Sequence, residues 1–99
     1  MLHIINKSPL TNGSLDSCLR VAQTGGDILL IEDAVYAATT GNAFESKILE
    51  AMGRFKIHVL MPDLEARGLA DRIITGILPL DYGGFVDLTA NNNNCQSWL

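Results

Sequence analysis

A short apolar run in the first third of the chain constrains the fold more than any other stretch. Residues 28–31 are four consecutive apolar residues, two of them β-branched, between Gly25-Gly26 and the acidic pair Glu32-Asp33. A run without polar alternation is typical of a strand buried on both faces, as in a parallel sheet covered by helices. In open parallel sheets, ligands and partners gather where strands end and helices begin. The run therefore predicts that Glu32 and Asp33 lie on a functional edge of the sheet.

Strand and helix patterns alternate along the whole chain. Strands are predicted at residues 2–6, 27–31, 56–61 and 77–80, and Pro79 places the last of them near a sheet edge because proline lacks a donor. The first helix is predicted to begin with Ser14 as its N-cap and to end at Gly25-Gly26. A second helix is predicted at residues 34–38, interrupted, and resumed at residues 43–52. Two further helices are predicted at residues 62–67 and 81–90. This alternation has the length of βαβ units with right-handed crossovers. It predicts an α/β fold with a single open, mainly parallel sheet flanked by helices, in three layers as in flavodoxin-like folds.

The length of 99 residues predicts one domain, residues 1–99, in which the asparagine-rich residues 91–99 form a C-terminal tail. Hydrophobic residues make up 47% of the chain and charged residues only 18%, below the usual quarter. Two interpretations remain open: a small protein with an apolar-rich core, or a subunit that buries part of its surface in an assembly.

Charge and hydropathy exclude several functional classes. The net charge is −4 and the seven basic residues are scattered, which argues against direct nucleic-acid binding. No apolar run approaches the length of a membrane span, and the N-terminus lacks the pattern of a signal peptide. We expect a cytoplasmic protein whose two cysteines are thiols.

Cys18 is the candidate catalytic residue. A thiol early in a helix can have a lowered pKa and act as a nucleophile or sulfur carrier. Cys18 also shares a helix face with Leu15, Leu19 and Ala22, where cysteine behaves as a small apolar residue. Packing is the favoured interpretation from the residues alone. Cys95, after the asparagine run, is expected to be exposed; a thiol in a flexible tail could carry sulfur, but an unremarkable free thiol is the favoured interpretation.

The other polar candidates each have a simple structural interpretation. His3 and His58 lie in predicted strands, where a dyad with Cys18 or Asp81 competes with an ordinary buried hydrogen bond. Two histidines and two cysteines without a close ligand pair predict no metal site, and no motif indicates a cofactor.

Three features near the predicted helix ends and the chain end are ambiguous. Asp33 most simply caps the helix that follows it. Gly83-Gly84 precedes a helix where an anion can bind, but without a completing lysine or hydroxyl a tight turn is the better explanation. Trp98, the sole tryptophan, either packs on its own domain or anchors a partner.

Several motifs occur in an order that resembles the DsrH/TusB family of small sulfur-relay proteins, within the wider DsrE/DsrF-like group. The resemblance spans nearly the whole chain. The matching motifs are Met1-Leu2-His3, Lys7-Ser8-Pro9, residues 29–38, Val59-Leu60, residues 63–68, Asp81-Tyr82, residues 85–89 and the closing Trp98.

The resemblance implies a DsrE/DsrF/DsrH-like open sheet and a set of partners. Members of this group assemble with DsrE/TusD-like and DsrF/TusC-like paralogous subunits as a heterohexamer and exchange persulfide sulfur with downstream carrier proteins. The established active cysteine belongs to the DsrE/TusD-type partner, so the resemblance implies a largely architectural, accessory subunit. The TusB branch serves 2-thiolation of tRNA wobble uridine, and the DsrH branch serves oxidation of stored sulfur.

The position of Cys18 bears on the choice of branch. Residues 14–19 are similar to the segment that holds a cysteine in DsrH-type members, which raises the possibility that Cys18 itself carries a persulfide. A third hypothesis, a small-ligand or anion-binding module at Glu32, Asp33 and Gly83, has no supporting motif.

Overall fold

Five parallel strands form one open sheet. A computed structural model describes residues 1–98 of the chain, and its strands run in the order β4-β3-β2-β1-β5. Every neighbouring pair is parallel. The strands are β1 Leu2–Ile5, β2 Asp27–Leu30, β3 Lys56–Leu60, β4 Leu78–Leu80 and β5 Cys95–Trp98. The predicted single open parallel sheet is therefore confirmed, and β4 with its Pro79 is an edge strand as expected.

Helices cover both faces of the sheet and make three layers. They are α1 Ser14–Val21, α2 Glu45–Ala51, α3 Met61–Ala66 and α4 Tyr82–Ala90, with 3-10 helices at Glu32–Ala38 and Ala70–Arg72. The chain steps in one direction from β1 to β4 and then returns to the other side of β1, so right-handed crossovers place α4 on the opposite face from α1, α2 and α3. Among residues 1–98 there is no helix long and apolar enough to cross a bilayer.

The main core lies between the sheet and the first three helices. Inward side chains of the central strands meet one stripe of each helix, because alternate strand residues point to the same face. The strand residues of this core include Ile5, Ile28, Leu30, Ile57 and Val59, and the helices add Leu15, Cys18, Leu19, Ile48, Ala51 and Leu64. On the other face, Leu2 and Leu29 are fully buried, and no residue of α4 is buried.

The C-terminal segment differs most from the expectation. The predicted tail of residues 91–99 contains the edge strand β5, in which Cys95 pairs with Leu2 and Trp98 with Ile5. Leu99 lies outside the described residues. The sequence missed this strand because Cys95–Trp98 has no apolar alternation, and its pairing partner is β1 at the other end of the chain.

Two predicted helix boundaries were also wrong. Ser14 is the first residue of α1 rather than its cap: Gly13 occupies the cap, and the Asn12 Oδ1 accepts a hydrogen bond from the Ser14 amide at 2.8 Å. The helix ends at Val21, before Gly25-Gly26. This glycine pair instead forms the turn into β2, where a side chain at Gly26 would lie 2.9 Å from the Met1 carbonyl oxygen.

Candidate functional site

The carboxyl ends of β2 and β3 carry the acidic edge that the sequence predicted. Glu32 follows β2 with a backbone φ of 51°, the only non-glycine residue with positive φ in the described chain. Its amide donates to the Asp63 Oδ2 at 2.6 Å. Since a left-handed conformation costs a non-glycine residue energy, this contact from α3 helps to hold the strained turn in place.

Asp33 does not cap the helix that follows β2, which corrects the prediction. The helix begins after Ile31 with no side-chain cap, and the Asp33 Oδ1 instead accepts from the Arg67 Nη2 at 2.9 Å and Nε at 3.2 Å. The Arg67 Nη1 also donates to the Asp63 carbonyl oxygen at 3.1 Å. The sequence places Asp63 and Arg67 four residues apart, about one helical turn, so their contact is local. The contact between Asp33 and Arg67 joins residues 34 positions apart, and no local pattern predicts it.

The N-terminus of α4 is capped by the protein's own carboxylate. The Asp81 Oδ1 accepts from the Gly84 amide at 2.7 Å. Gly83 and Gly84 therefore lie in the first turn of α4, not in a tight turn before it. A carboxylate at this position already satisfies the helix terminus, and it repels a second anion. The geometry gives no support to an anion site at Gly83.

Cys18 lies in the main core. Its side chain has no exposed surface. It lies on the buried face of α1, together with Leu15 and Leu19. Burial raises the pKa of the Cys18 thiol to about 11. Roughly one thiol in ten thousand is then ionised at pH 7, and the thiolate is the nucleophilic form. The geometry favours packing over sulfur chemistry at this position.

Cys95 is the exposed thiol of the chain. It begins β5 and pairs with Leu2, so its side chain points to the sheet face opposite Trp98. Cys18 and Cys95 therefore belong to different faces of the sheet, and both are free thiols.

Neither histidine forms the dyad considered above. His3 is buried, and its Nδ1 accepts a hydrogen bond from the Trp98 Nε1 at 3.1 Å. His58 is also buried, with its Nε2 2.9 Å from the Asp27 Oδ1. Each ring thus has a structural partner other than Cys18 or Asp81. Within residues 1–98, no group of three or more His, Cys, Asp or Glu side chains is placed to hold a metal ion.

Two clefts lie away from the acidic edge. One of about 620 Å³ separates α1 from α2, where Lys47 pairs with Asp16 and Arg54 donates to the Leu19 carbonyl oxygen. Another of about 490 Å³ lies beside His3 and Trp98. Charged side chains of the first cleft are partly paired within the chain. Neither cysteine is among the lining residues of either cleft.

Comparison with solved structures supports the fold. The crystal structure of the ychN protein from E. coli superposes with a TM-score of 0.79, covering 97% of each chain at 18% identity. MTH1491 from Methanobacterium thermoautotrophicum, a protein of unknown function, has a TM-score of 0.75 at 14% identity, covering 97% of this chain and 95% of its own. At these identities the likeness concerns the fold alone.

Comparison of sequences extends over the full length. Protein TusB from Escherichia coli O1:K1 is 38% identical over 99 residues, covering 99% of this chain and 100% of its own. Protein TusB from Shigella flexneri is 37% identical over the same extent. The family described as DsrH like protein matches residues 7–95. The resemblance drawn from the motifs is confirmed, and the chain belongs to the DsrH-like protein family.

Proposed function

We propose that this protein is a structural subunit of a cytoplasmic sulfur-relay complex that passes persulfide sulfur between carrier proteins. Its partners are a DsrE/TusD-like and a DsrF/TusC-like subunit, and the main active cysteine lies on the former. Family membership, with full-length relatives named TusB, supports this function. The low charge content of 18% agrees with it, because a subunit of a permanent assembly hides surface.

The observation that carries the structural role is the burial of Cys18. A persulfide carrier must expose its sulfur to a donor and then to an acceptor, and it reacts as a thiolate. The Cys18 sulfur is enclosed by the core and its pKa is raised to about 11. The burial of Cys18 supports a role in shape and contacts, in which Cys18 carries no sulfur and the sulfur travels on a partner.

The full-length similarity to TusB proteins favours the tRNA branch of the relay. In that branch the sulfur finally reaches the 2-position of wobble uridine. The net charge of −4 and the scattered cations argue that another relay protein holds the tRNA. Oxidation of stored sulfur is the second branch, with the same fold and partners.

Reconstitution tests the proposal. The chain is co-expressed with its two paralogous subunits, and the complex is examined by size-exclusion chromatography and native mass spectrometry. Sulfur transfer to a downstream carrier is then followed with and without this subunit. We expect a stable three-component complex, and a transfer rate that falls about tenfold or more when this subunit is left out.

A variant in which Cys18 is replaced by alanine separates the two possible roles. If the subunit is structural, Cys18→Ala supports transfer at the wild-type rate whenever the complex assembles. A complex that forms normally but loses transfer with Cys18→Ala would contradict the structural role and assign the sulfur to Cys18. Failure of the three chains to associate would contradict the proposed function itself.

A further inference from the structure

The cleft beside His3 and Trp98 is bordered by the edge strand β5 on one side and by residues 21–26, which end α1 and lead into β2, on the other. His3, Gln96 and Trp98 project from the sheet on this side, because alternate residues of paired strands share a face. Met1 also lines the cleft, and none of the described lining residues has an acidic or basic side chain. The volume of about 490 Å³ is in the range that small ligands occupy.

His3 presents a hydrogen-bond donor to this cleft. Because the Trp98 Nε1 donates to the His3 Nδ1, the neutral imidazole carries its hydrogen on Nε2. Burial lowers the pKa of His3, and the positive N-terminus lowers it further, so the ring is neutral at pH 7. Within residues 1–98, the unpaired side-chain atoms that are sealed from solvent are the Asn6 Oδ1 and the His58 Nδ1. The unpaired His3 Nε2 is not one of them, so it contacts solvent through the cleft, although His3 is only 4% exposed.

The polar groups at the mouth of the cleft can both donate and accept. Gln23, Thr24 and Gln96 are exposed there, and neither glutamine side chain has a hydrogen-bond partner in the part of the chain that the structure describes. A carboxamide offers an oxygen acceptor and an NH₂ donor. The Nε2 of His3 is fixed by burial and by the contact with Trp98, whereas the glutamines can adjust. A ligand amide matches this set, because its oxygen accepts from His3 and its remaining groups pair with glutamine.

The rest of the lining favours an apolar and uncharged ligand body. Val21, Ala22 and the partly exposed indole of Trp98 form the apolar part of the cleft. Lysine, arginine, aspartate and glutamate are absent from the described lining residues, so a charged ligand would lose hydration without gaining a charged side chain as partner. The amino group of Met1 is the cation nearby, and Met1 is 54% exposed, so solvent weakens its attraction for an anion.

We propose that this cleft binds a small uncharged molecule that carries an amide group on or within a planar ring. The amide oxygen accepts a hydrogen bond from the His3 Nε2, the Gln96 side chain pairs with the rest of the amide, and the ring lies against the Trp98 indole. This binding site goes beyond the sulfur-relay function and does not depend on it.

Benzamide and uracil are the probes, and benzoate is the matched control for charge. The full chain is labelled with ¹⁵N, and the Nε1–H signal of its sole tryptophan is followed by nuclear magnetic resonance as each compound is added. We expect benzamide, uracil or both to shift this signal saturably, with a Kd of about 1 mM for molecules of this size. Benzoate has the same ring as benzamide and should bind at least about tenfold more weakly.

Gln96→Ala tests the location, and Ser97→Ala is its matched control. The two residues are adjacent and exposed on β5, but their side chains point to opposite faces of the sheet. We expect Gln96→Ala to weaken binding about fivefold and Ser97→Ala to leave it within about twofold. His3→Phe removes the donor and should weaken binding about tenfold or more. The amide spectrum shows whether each variant is folded, and the comparison of Gln96 with Ser97 decides if His3→Phe is not.

The results that would overturn the binding site are distinct. Absence of a saturable shift with both benzamide and uracil at about 20 mM would overturn it outright. Benzoate binding as tight as that of benzamide would overturn the uncharged class of ligand. Equal effects of Gln96→Ala and Ser97→Ala would overturn the location. None of these outcomes bears on the sulfur-relay proposal, which assembly with the partner subunits tests separately.

Discussion

The indole Nε1 of Trp98 donates a hydrogen bond to the Nδ1 of His3, 3.1 Å away. These residues are 95 positions apart and lie on β5 and β1, which pair side by side. Because an indole nitrogen can only donate, the His3 Nδ1 must be unprotonated and the ring neutral. The hydrogen bond that links β5 to β1 therefore forms only when His3 is neutral.

The first prediction concerns pH. Burial lowers the pKa of His3 from its ordinary 6.5, and the nearby positive N-terminus lowers it further. The unfolded chain therefore binds the proton at a higher pH than the folded chain does. The stability that neutral His3 contributes is present above pH 6.5 and is lost as pH falls through the lowered value. Fluorescence of the sole tryptophan, with denaturant midpoints between pH 7.5 and 5, should report this loss.

His3→Gln is the control for the pH experiment. A glutamine side chain oxygen can still accept a hydrogen bond, but it does not titrate in this range. The variant should therefore lose the part of the pH dependence that comes from His3. If its denaturant midpoints fell with pH as steeply as those of the wild type, the role given to His3 would be contradicted.

The second prediction separates the packing of Trp98 from its hydrogen bond. The indole packs against the main core, so Trp98→Ala should lower the free energy of unfolding by about 2–3 kcal/mol. Trp98→Phe keeps most of the packing and loses the donor, at a cost of about 1 kcal/mol. Urea denaturation followed by far-UV circular dichroism measures both. Equal and negligible effects would show that β5 contributes nothing to stability.

The third prediction concerns the two thiols. Cys95 is exposed and Cys18 fully buried, and the pKa of Cys18 is raised to about 11. Iodoacetamide at pH 7.5 should therefore modify Cys95 in the native protein and leave Cys18 unmodified until the chain is unfolded. Peptide mapping by mass spectrometry locates the label. Labelling of both cysteines at similar rates under native conditions would argue against the burial of Cys18.

The fourth prediction concerns the strained turn after β2. Glu32 has a φ of 51°, a conformation that glycine adopts without steric cost. Glu32→Gly should raise the free energy of unfolding by up to about 1 kcal/mol, whereas Glu32→Ala, which keeps the strain, should not. Thermal denaturation compares them directly. If Glu32→Ala also raised the free energy of unfolding, the stabilisation would come from removing the glutamate side chain and not from relieving backbone strain.

The fifth prediction concerns Asp63, whose carboxylate accepts a hydrogen bond from the Glu32 amide in that turn. Asp63→Ala removes the acceptor of the Glu32 amide and should lower the free energy of unfolding by about 1–2 kcal/mol. In the double variant Glu32→Gly with Asp63→Ala the cost should shrink, because a glycine holds the turn without help. Additive effects in this double-mutant cycle would mean that the two residues act independently.

The parts of the structure that the sequence predicted have local causes. The buried run of β2, the Pro79 edge strand and the alternation of strands with helices follow from periodicity within short windows. Strand β5 could not be found this way, because Cys95–Trp98 is held by β1 and by the contact between Trp98 and His3. Its cause lies at the other end of the chain.

The same distinction applies to the site residues. Proximity to a helix start suggested that Asp33 is a cap, but Arg67, the residue that follows the C-terminal end of α3, binds its carboxylate instead. The position of Cys18 on an apolar helix face correctly indicated burial, since it shares that face with core residues. The apolar character of α4 was visible in the sequence, but its exposure became apparent only when the sheet order placed it alone on one face.

The location of the sulfur is the most direct test of the structural role proposed for this subunit. The chain is assembled with the two partner subunits proposed above and incubated with a sulfane-sulfur donor. The mass of each subunit is then measured by intact mass spectrometry under non-reducing conditions. The account predicts a gain of one sulfur atom on the DsrE/TusD-like partner and none on Cys18 of this chain, with peptide mapping used to separate Cys18 from the exposed Cys95. A gain of one sulfur on this chain, mapped to Cys18 and lost in Cys18→Ser, would contradict it.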